Sequence, residues 1–234
     1  MKLEDFLSLA TEHSRRKIGE LLKLGKIKVN QQISQDRKMK VDPNKDQITI
    51  DQKIIKNNSE YVYYILNKPN DVISTLNDPK NRKDLSIFIN QIKQNIIPVG
   101  RLDRKTTGLM IFTNDGELTN HLLHPRYEIE KKYNVSLDKP LKKQDYHYLL
   151  NGFFLNDGPV RFLSLDMNSS ESLTLTLKQG RNRIIRRAFQ ELGYEVIKLK
   201  RIQIGPIQLL DLPIGKMRKC TKKEIEELKN IYKD

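Results

Sequence analysis

Residues 100–116 read GRLDRKTTGLMIFTNDG, and the fold is read outward from them. Gly100 and Gly108 bracket a loop that carries Arg101, Asp103, Arg104 and Thr106. LMIF then reads as a buried strand, and NDG as a tight turn. Strands of this kind recur from Tyr61 onward: YVYYILN, KYNVSL, GPVRFLSLDM, SLTLTLK and YEVIKLKRIQIGPIQL. Helices are expected between them at about 84–94, 116–123, 140–150 and 181–192, with a last one at 221–231. Strands dominate and do not alternate regularly with helices. The expected class is therefore α+β, with a mixed, mainly antiparallel sheet flanked by helices.

Residues 1–56 read differently. Leu3, Phe6, Leu7 and Leu9–Ala10 recur at helical spacing, and Ile18, Leu21, Leu22 and Leu24 do so again. Ser14 is placed to cap the second helix and Gly25 to end it. IKVN, QQIS and DQITIDQ follow as short strands. The pattern is a small helix-helix-sheet module, joined through a polar linker at 57–60 (NNSE) to a larger domain at 61–234.

Charge narrows the function. The 234 residues carry 43 Lys+Arg against 29 Asp+Glu, a formal net charge of +14. A chain this basic repels itself when compact, which points to a polyanionic partner. Residues 1–60 hold +4 of the excess. Arg15, Arg16 and Lys17 open the second helix, while Lys26 and Lys28 follow its end. Cations at a helix N-terminus oppose the macrodipole, so they are expected to face an external anion such as RNA phosphate. No apolar run approaches the roughly 20 residues of a membrane span. The N-terminus lacks signal-peptide features, and a single cysteine, Cys220, excludes a disulfide framework. A reduced, cytoplasmic location with no membrane partner is expected.

Three stretches can carry chemistry. Asp103, with an Arg on either side in the glycine-bracketed loop, is expected to have its carboxylate form favoured by the neighbouring positive charge. It is a candidate nucleophile or base. KQGRNRIIRRAF at 178–189 puts Arg183, Arg186 and Arg187 on one helical face, with Ile184, Ile185, Ala188 and Phe189 packing behind. EKKYNV at 130–135 places Tyr133 in an alternating strand. Dinucleotide and Walker loops are missing, as is a metal-ligand set: His121 and His124 have the spacing but no third ligand. No cofactor and no metal are expected.

Together the stretches resemble the RsuA-type family of RNA pseudouridine synthases, also represented by RluB, over most of residues 60–215. LNKPNDVIST (66–75) looks like the Asn-Lys-Pro motif, with Asp71 where Gly is usual. GRLDRKTTGL looks like the catalytic motif, KKYNV the Lys-x-Tyr motif, and GRNRIIRRAF the arginine motif. Residues 2–52 resemble the S-four-like RNA-binding module, with Gln31 where Gly is usual. The turn there needs a residue that tolerates left-handed geometry, and Asn30 is one.

The resemblance implies an isomerase that converts uridine to pseudouridine in ribosomal RNA or an assembly intermediate of the ribosome, large-subunit RNA ahead of small-subunit RNA, acting as a monomer. It implies Asp103 as the catalytic aspartate, Tyr133 as the residue stacking on uracil and Arg186 as the basic residue that pairs with Asp103. Arg101 would help displace the nucleotide, and Lys131, Arg181 and Arg183 would contact substrate. Arg15, Arg16, Lys17, Lys26 and Lys28 would dock RNA. The competing reading is a non-catalytic RNA-binding or ribosome-assembly factor on the same fold; the intact Asp103, Tyr133 and Arg186 set argues against it. An RNA methyltransferase would need a Gly-rich nucleotide loop, and a membrane-surface protein a long amphipathic helix. Neither is found.

Overall fold

A computed structural model of the chain describes residues 1–56 and 60–231. The expected linker at 57–60 falls mostly outside the described residues. The chain forms two compact units: residues 1–62 with 91–97 and 113–116, and residues 63–90 with 98–112 and everything from Glu117 on. No helix among the described residues is long and apolar enough to cross a membrane.

The first unit begins with helices α1 (Leu3–Ala10) and α2 (Arg15–Lys23). Ser14 caps α2, its hydroxyl accepting from the Lys17 N–H at 3.2 Å. Gly25 ends it at φ +67°, with the Gly25 and Lys26 amides donating back to Leu22 and Leu21 carbonyls. Strands β1 (Ile27–Val29), β2 (Gln32–Ile33), β3 (Ile48–Ile50) and β4 (Lys53–Ile54) form an antiparallel sheet in the order β2-β1-β3-β4. The β1–β2 turn is left-handed at both Asn30 (φ 49°) and Gln31 (φ 70°), so the position where glycine is usual is occupied by a glutamine in a glycine-like conformation. Asn30 stabilises the turn from its side chain, donating to Asp46 and accepting from the Gln47 amide, each at 2.9 Å. Leu3, Phe6, Leu7, Ile18, Leu22, Ile27 and Ile48 close the core.

The larger unit is built on a nine-stranded sheet. In chain order its elements are β5 (Tyr63–Lys68), α3 (Ser86–Ile89), β6 (Ile97–Pro98), β7 (Thr107–Thr113), α4 (Gly116–Leu123), β8 (Lys131–Leu137) and α5 (Lys143–Asn151). They continue through β9 (Phe153–Leu155), β10 (Gly158–Val160), β11 (Ser164–Met167), β12 (Ser172–Leu177), α6 (Ile184–Glu191), β13 (Val196–Ile204), β14 (Ile207–Gln208), β15 (Met217–Lys219) and α7 (Lys222–Asn230). The main order is β11-β12-β8-β13-β7-β5-β15, with β6 on β7 and β14 on β13. The β13–β7 pair is parallel, whereas β8–β12, β8–β13, β11–β12 and β5–β15 are antiparallel. The class is α+β with a mixed, mainly antiparallel sheet. β9 and β10 stand apart as a two-stranded hairpin.

The helix expected at 84–94 shrinks to the four residues of α3. No α3 residue is buried and Ile87 is 54% exposed, so a longer helix would have no packed face to hold it. The glycine-bracketed loop lies between β6 and β7, and LMIF forms the buried middle of β7.

Candidate active site

The Asp103 loop is held from behind by the segment that follows β5. Lys68 is fully buried, and its ammonium donates to the carbonyls of Thr106 (2.9 Å), Pro69 (3.0 Å) and Arg104 (3.3 Å). Two of these flank Lys105, so one side chain fixes the loop just past Asp103. Asp71, left-handed at φ 65°, donates its amide to the Arg104 carbonyl and pairs its carboxylate with Arg104 at 2.6 Å. The hydrogen bond from Arg104 holds the Asp71 carboxyl below the usual range. Ser74 completes the clasp: its hydroxyl donates to the Leu102 carbonyl at 2.7 Å and accepts the Leu102 amide at 3.0 Å. Burial pushes the Lys68 ammonium down to about 8, with Asp103 and Asp71 opposing the fall.

Gly108 sets how closely β7 and β13 approach. At φ +102° it lies directly beside Arg201, and a Cβ there would stand 2.2 Å from the Arg201 carbonyl oxygen. On the other side of β13, Arg201 faces Tyr133 of β8. Tyr133 and Arg201 are 8% and 4% exposed. Arg201 donates from Nε to the Leu109 carbonyl at 2.8 Å, and its Nη2 is buried with no partner among the described residues. Lys131, two residues before Tyr133 and 8% exposed, donates to the Ile129 and Lys178 carbonyls. Burial, reinforced by Arg201, pushes its ammonium down to about 8.

These side chains surround a cavity of about 390 Å³, whose lining includes Arg101, Asp103, Lys131, Tyr133, Arg181, Arg183 and Arg201. Of the residues expected in a catalytic or substrate-binding role, all but Arg186 line it. Arg183 is not on the face of α6 but caps it, at φ 48°.

Arg186 departs from expectation. No carboxylate lies within 4.0 Å of it among the described residues. Its guanidinium donates instead to the Val196 carbonyl (2.5 Å) and the Lys105 carbonyl (3.4 Å), leaving Nε buried without a partner among the described residues. Burial, then the neighbouring Arg183, works against its charge, while Asp103 and Glu195 favour it. Arg186 therefore meets the Asp103 loop through its backbone. The expected common face of Arg183, Arg186 and Arg187 is not formed either: Arg187 turns to Asp157, with contacts at 2.9 and 2.8 Å.

Sequence reasoning left three residues unassigned. Lys68 carries its signal only inside the Asn-Lys-Pro motif. Arg201 stands in a basic run whose lysines, Lys198 and Lys200, are more exposed than it is. Asp157 has no local signal, because its partners Arg181 and Arg187 lie 24 and 30 residues away.

In the first unit the basic residues have partners of their own. Arg15 pairs with Asp5 at 2.7 Å, Arg16 and Lys17 with Glu20 at 3.8 and 3.4 Å, and Lys26 with Asp51 at 3.3 Å. Carboxylates of the same unit thus offset part of the charge of the helix-opening cations. Lys28 has no carboxylate within 4.0 Å among the described residues.

No group of three or more His, Cys, Asp or Glu suited to a metal is found among the described residues. His124 instead accepts the Arg126 amide.

A family model described as RNA pseudouridylate synthase matches residues 62–191. A Bacillus subtilis protein named ribosomal large subunit pseudouridine synthase B is 39% identical, the match covering 98% of this chain and 96% of that protein. A protein of Aquifex aeolicus, named as an uncharacterized RNA pseudouridine synthase, is 36% identical over 97% of this chain and 93% of its own length. A crystal structure described as a pseudouridylate synthase aligns with a TM-score of 0.70 at 26% identity, covering 97% of this chain and 99% of that one.

Proposed function

The chain belongs to the RNA pseudouridylate synthase family and is an RNA pseudouridine synthase, and from that premise we propose that it isomerises a specific uridine in ribosomal RNA of the large subunit. The observation that carries this reading is the placement of Asp103 and Tyr133 in the lining of one cavity, with Asp103 on a loop clasped by Lys68, Asp71 and Ser74. The name of the Bacillus subtilis relative supports the choice of RNA.

The reaction breaks the bond between N1 of uracil and C1′ of the ribose and forms one from C5 to C1′. C5 loses a proton and N1 gains one, so the product is an isomer and no redox partner is required. The uridine leaves its stack to enter the cavity, at a cost of a few kcal/mol offset by contacts to the extruded base. Tyr133 supplies one such contact by stacking, worth roughly 1–3 kcal/mol. Asp103 acts as the ionised carboxylate, by attack at the sugar or ring or by proton removal. Arg186 positions its loop through the Lys105 carbonyl. Arg101 and Arg183, both exposed at the cavity, hold the displaced backbone. Lys131 and Arg181 bear on substrate from the lining; the Lys131 ammonium and the two Arg181 Nη atoms are engaged by protein groups, while Arg181 Nε is buried with no partner among the described residues.

Residues 1–56 act as an S-four-like RNA-docking module, with Arg15, Arg16, Lys17, Lys26 and Lys28 as phosphate contacts. Surface ion pairs of the kind these residues make contribute only about 0–1 kcal/mol, so phosphate can replace the carboxylates at little cost. The protein works as a monomer in the cytoplasm. The test is a pseudouridine map of ribosomal RNA from cells with and without the protein. One large-subunit position is expected to vanish with it; unchanged maps overturn the assignment, and loss at a small-subunit position corrects the substrate.

A further inference from the structure

The β9–β10 hairpin has two unlike faces. Phe153 and its register partner Val160 are buried, and the Phe153 ring stacks on Tyr148 at 5.0 Å. On the opposite face Phe154 is 78% exposed, more than any other large apolar side chain among the described residues. Its register partner Pro159 is exposed as well. Strand alternation explains why Phe154 points away from Phe153. It does not explain an aromatic ring where a polar residue would serve the hairpin equally well.

The hairpin is fixed to the edge of the cavity. Asp157, in its turn, takes Arg187 through both carboxylate oxygens and Arg181 at 2.9 Å. The Pro159 carbonyl accepts from Arg181 at 2.5 Å and from Gln179 at 3.0 Å. Arg181 and Gln179 both line the cavity. One cross-strand step along the hairpin therefore separates Phe154 from a residue that touches cavity-lining side chains.

Charge identifies the occupant. Residues 178–187 contain five basic side chains and no acid, and Arg161 beside the hairpin is exposed. Asp157 balances one of these charges and Glu128, paired with Lys178 at 2.9 Å, another, so the excess around the hairpin stays positive. A partner with apolar flat faces and a strongly anionic backbone fits such surroundings, and an unpaired nucleobase in RNA has both properties.

We propose that Phe154 is a stacking site for an unpaired base of the RNA that flanks the uridine in the cavity. The hairpin thus acts as a rigid second contact, with Asp157 as its tie. This rests on the reading of the chain as an enzyme that acts on ribosomal RNA.

The test uses full-length protein and large-subunit ribosomal RNA from cells lacking it. Phe154→Ala is expected to raise KM and the filter-binding Kd about tenfold, while the single-turnover rate at saturating RNA stays within about twofold of wild type. Phe154→Leu should behave like the alanine variant, and Phe154→Trp should restore binding. Unchanged KM and Kd in Phe154→Ala overturn the proposal, and so does full binding by Phe154→Leu, which would mean that apolar contact alone suffices. Wild-type self-association that Phe154→Ala abolishes, with RNA binding unaltered, would assign the face to a second copy of the chain and overturn it too. Should wild type modify no uridine in this RNA, the substrate reading fails separately, and the Kd comparison among the four proteins still decides the stacking site.

Discussion

The basic residues at 15–28 and two of those at 178–201, Arg186 and Arg201, are held in opposite ways. In the first unit Arg15, Arg16, Lys17 and Lys26 pair with surface carboxylates, and the side chains of Arg15 and Arg16 are 53% and 93% exposed. In the larger unit Arg186 and Arg201 are tied to backbone carbonyls, as are Lys68 and Lys131 outside that run. A surface pair is cheap to exchange for a phosphate. A buried cation capped by carbonyls is part of the architecture, because removing it strands acceptors that water does not reach. The same net charge thus serves two purposes, docking in one region and construction of a site in the other.

Four measurements would break or sharpen that contrast. The largest effect after Asp103 itself is expected from Lys68→Met. Three carbonyls lose their donor, the clasp on the Asp103 loop opens, and single-turnover pseudouridine formation should fall about 100-fold, which is roughly 2.7 kcal/mol of transition-state stabilisation. RNA binding should barely move. A folded Lys68→Met protein, verified by circular dichroism, with a wild-type rate would show that the buried cation does not shape the site.

Arg186→Ala and Arg15→Ala should part company next. Arg186→Ala should lower the rate about tenfold and leave the salt dependence of RNA binding in place. Arg15→Ala should weaken binding a few-fold and reduce the slope of log K against log salt by about one, with the saturated rate intact. Identical behaviour of the two variants would erase the distinction between docking and building charges.

The smallest effect is in stability against pH. Lys68 and Lys131 release protons near 8 when folded, against an ordinary value of 10.5. Between these limits the unfolded chain holds more protons than the folded one, so these lysines add stability as pH rises from about 8 to 10. Below 8 both states are protonated and the contribution is flat. In urea titrations wild type should therefore gain on Lys131→Met across that window, and parallel curves would mean that the lysine is not held in a desolvated state.

Much of this was legible in the sequence where the deciding partners are local. The Ser14 cap and the Gly25 stop of α2 depend on residues within a turn of each other, and both read directly. The α+β class followed from strand frequency. The Asp103 loop was marked by its bracketing glycines, and Asp103, Tyr133, Arg101 and Arg183 do come together in one cavity. What escaped depends on distant partners. Arg187 is drawn to Asp157, 30 residues away, and Arg186 to Lys105, 81 residues away, so the expected single arginine face splits in three directions. The helix at 84–94 failed because propensity was read without a packing surface. Gln31 holds a left-handed turn because Asn30 and the β1–β3 pairing over-determine it.

The central claim is that the clasped carboxylate of Asp103 performs the chemistry in the cavity it shares with Tyr133. Single-turnover pseudouridine formation by Asp103→Asn at saturating ribosomal RNA tests it most directly, since the substitution keeps size and hydrogen-bonding capacity and removes only the charge. The expected result is a protein that folds and binds RNA like wild type while its rate falls at least about 1,000-fold, or roughly 4 kcal/mol. A folded, RNA-binding Asp103→Asn protein that forms pseudouridine at the wild-type rate would contradict it.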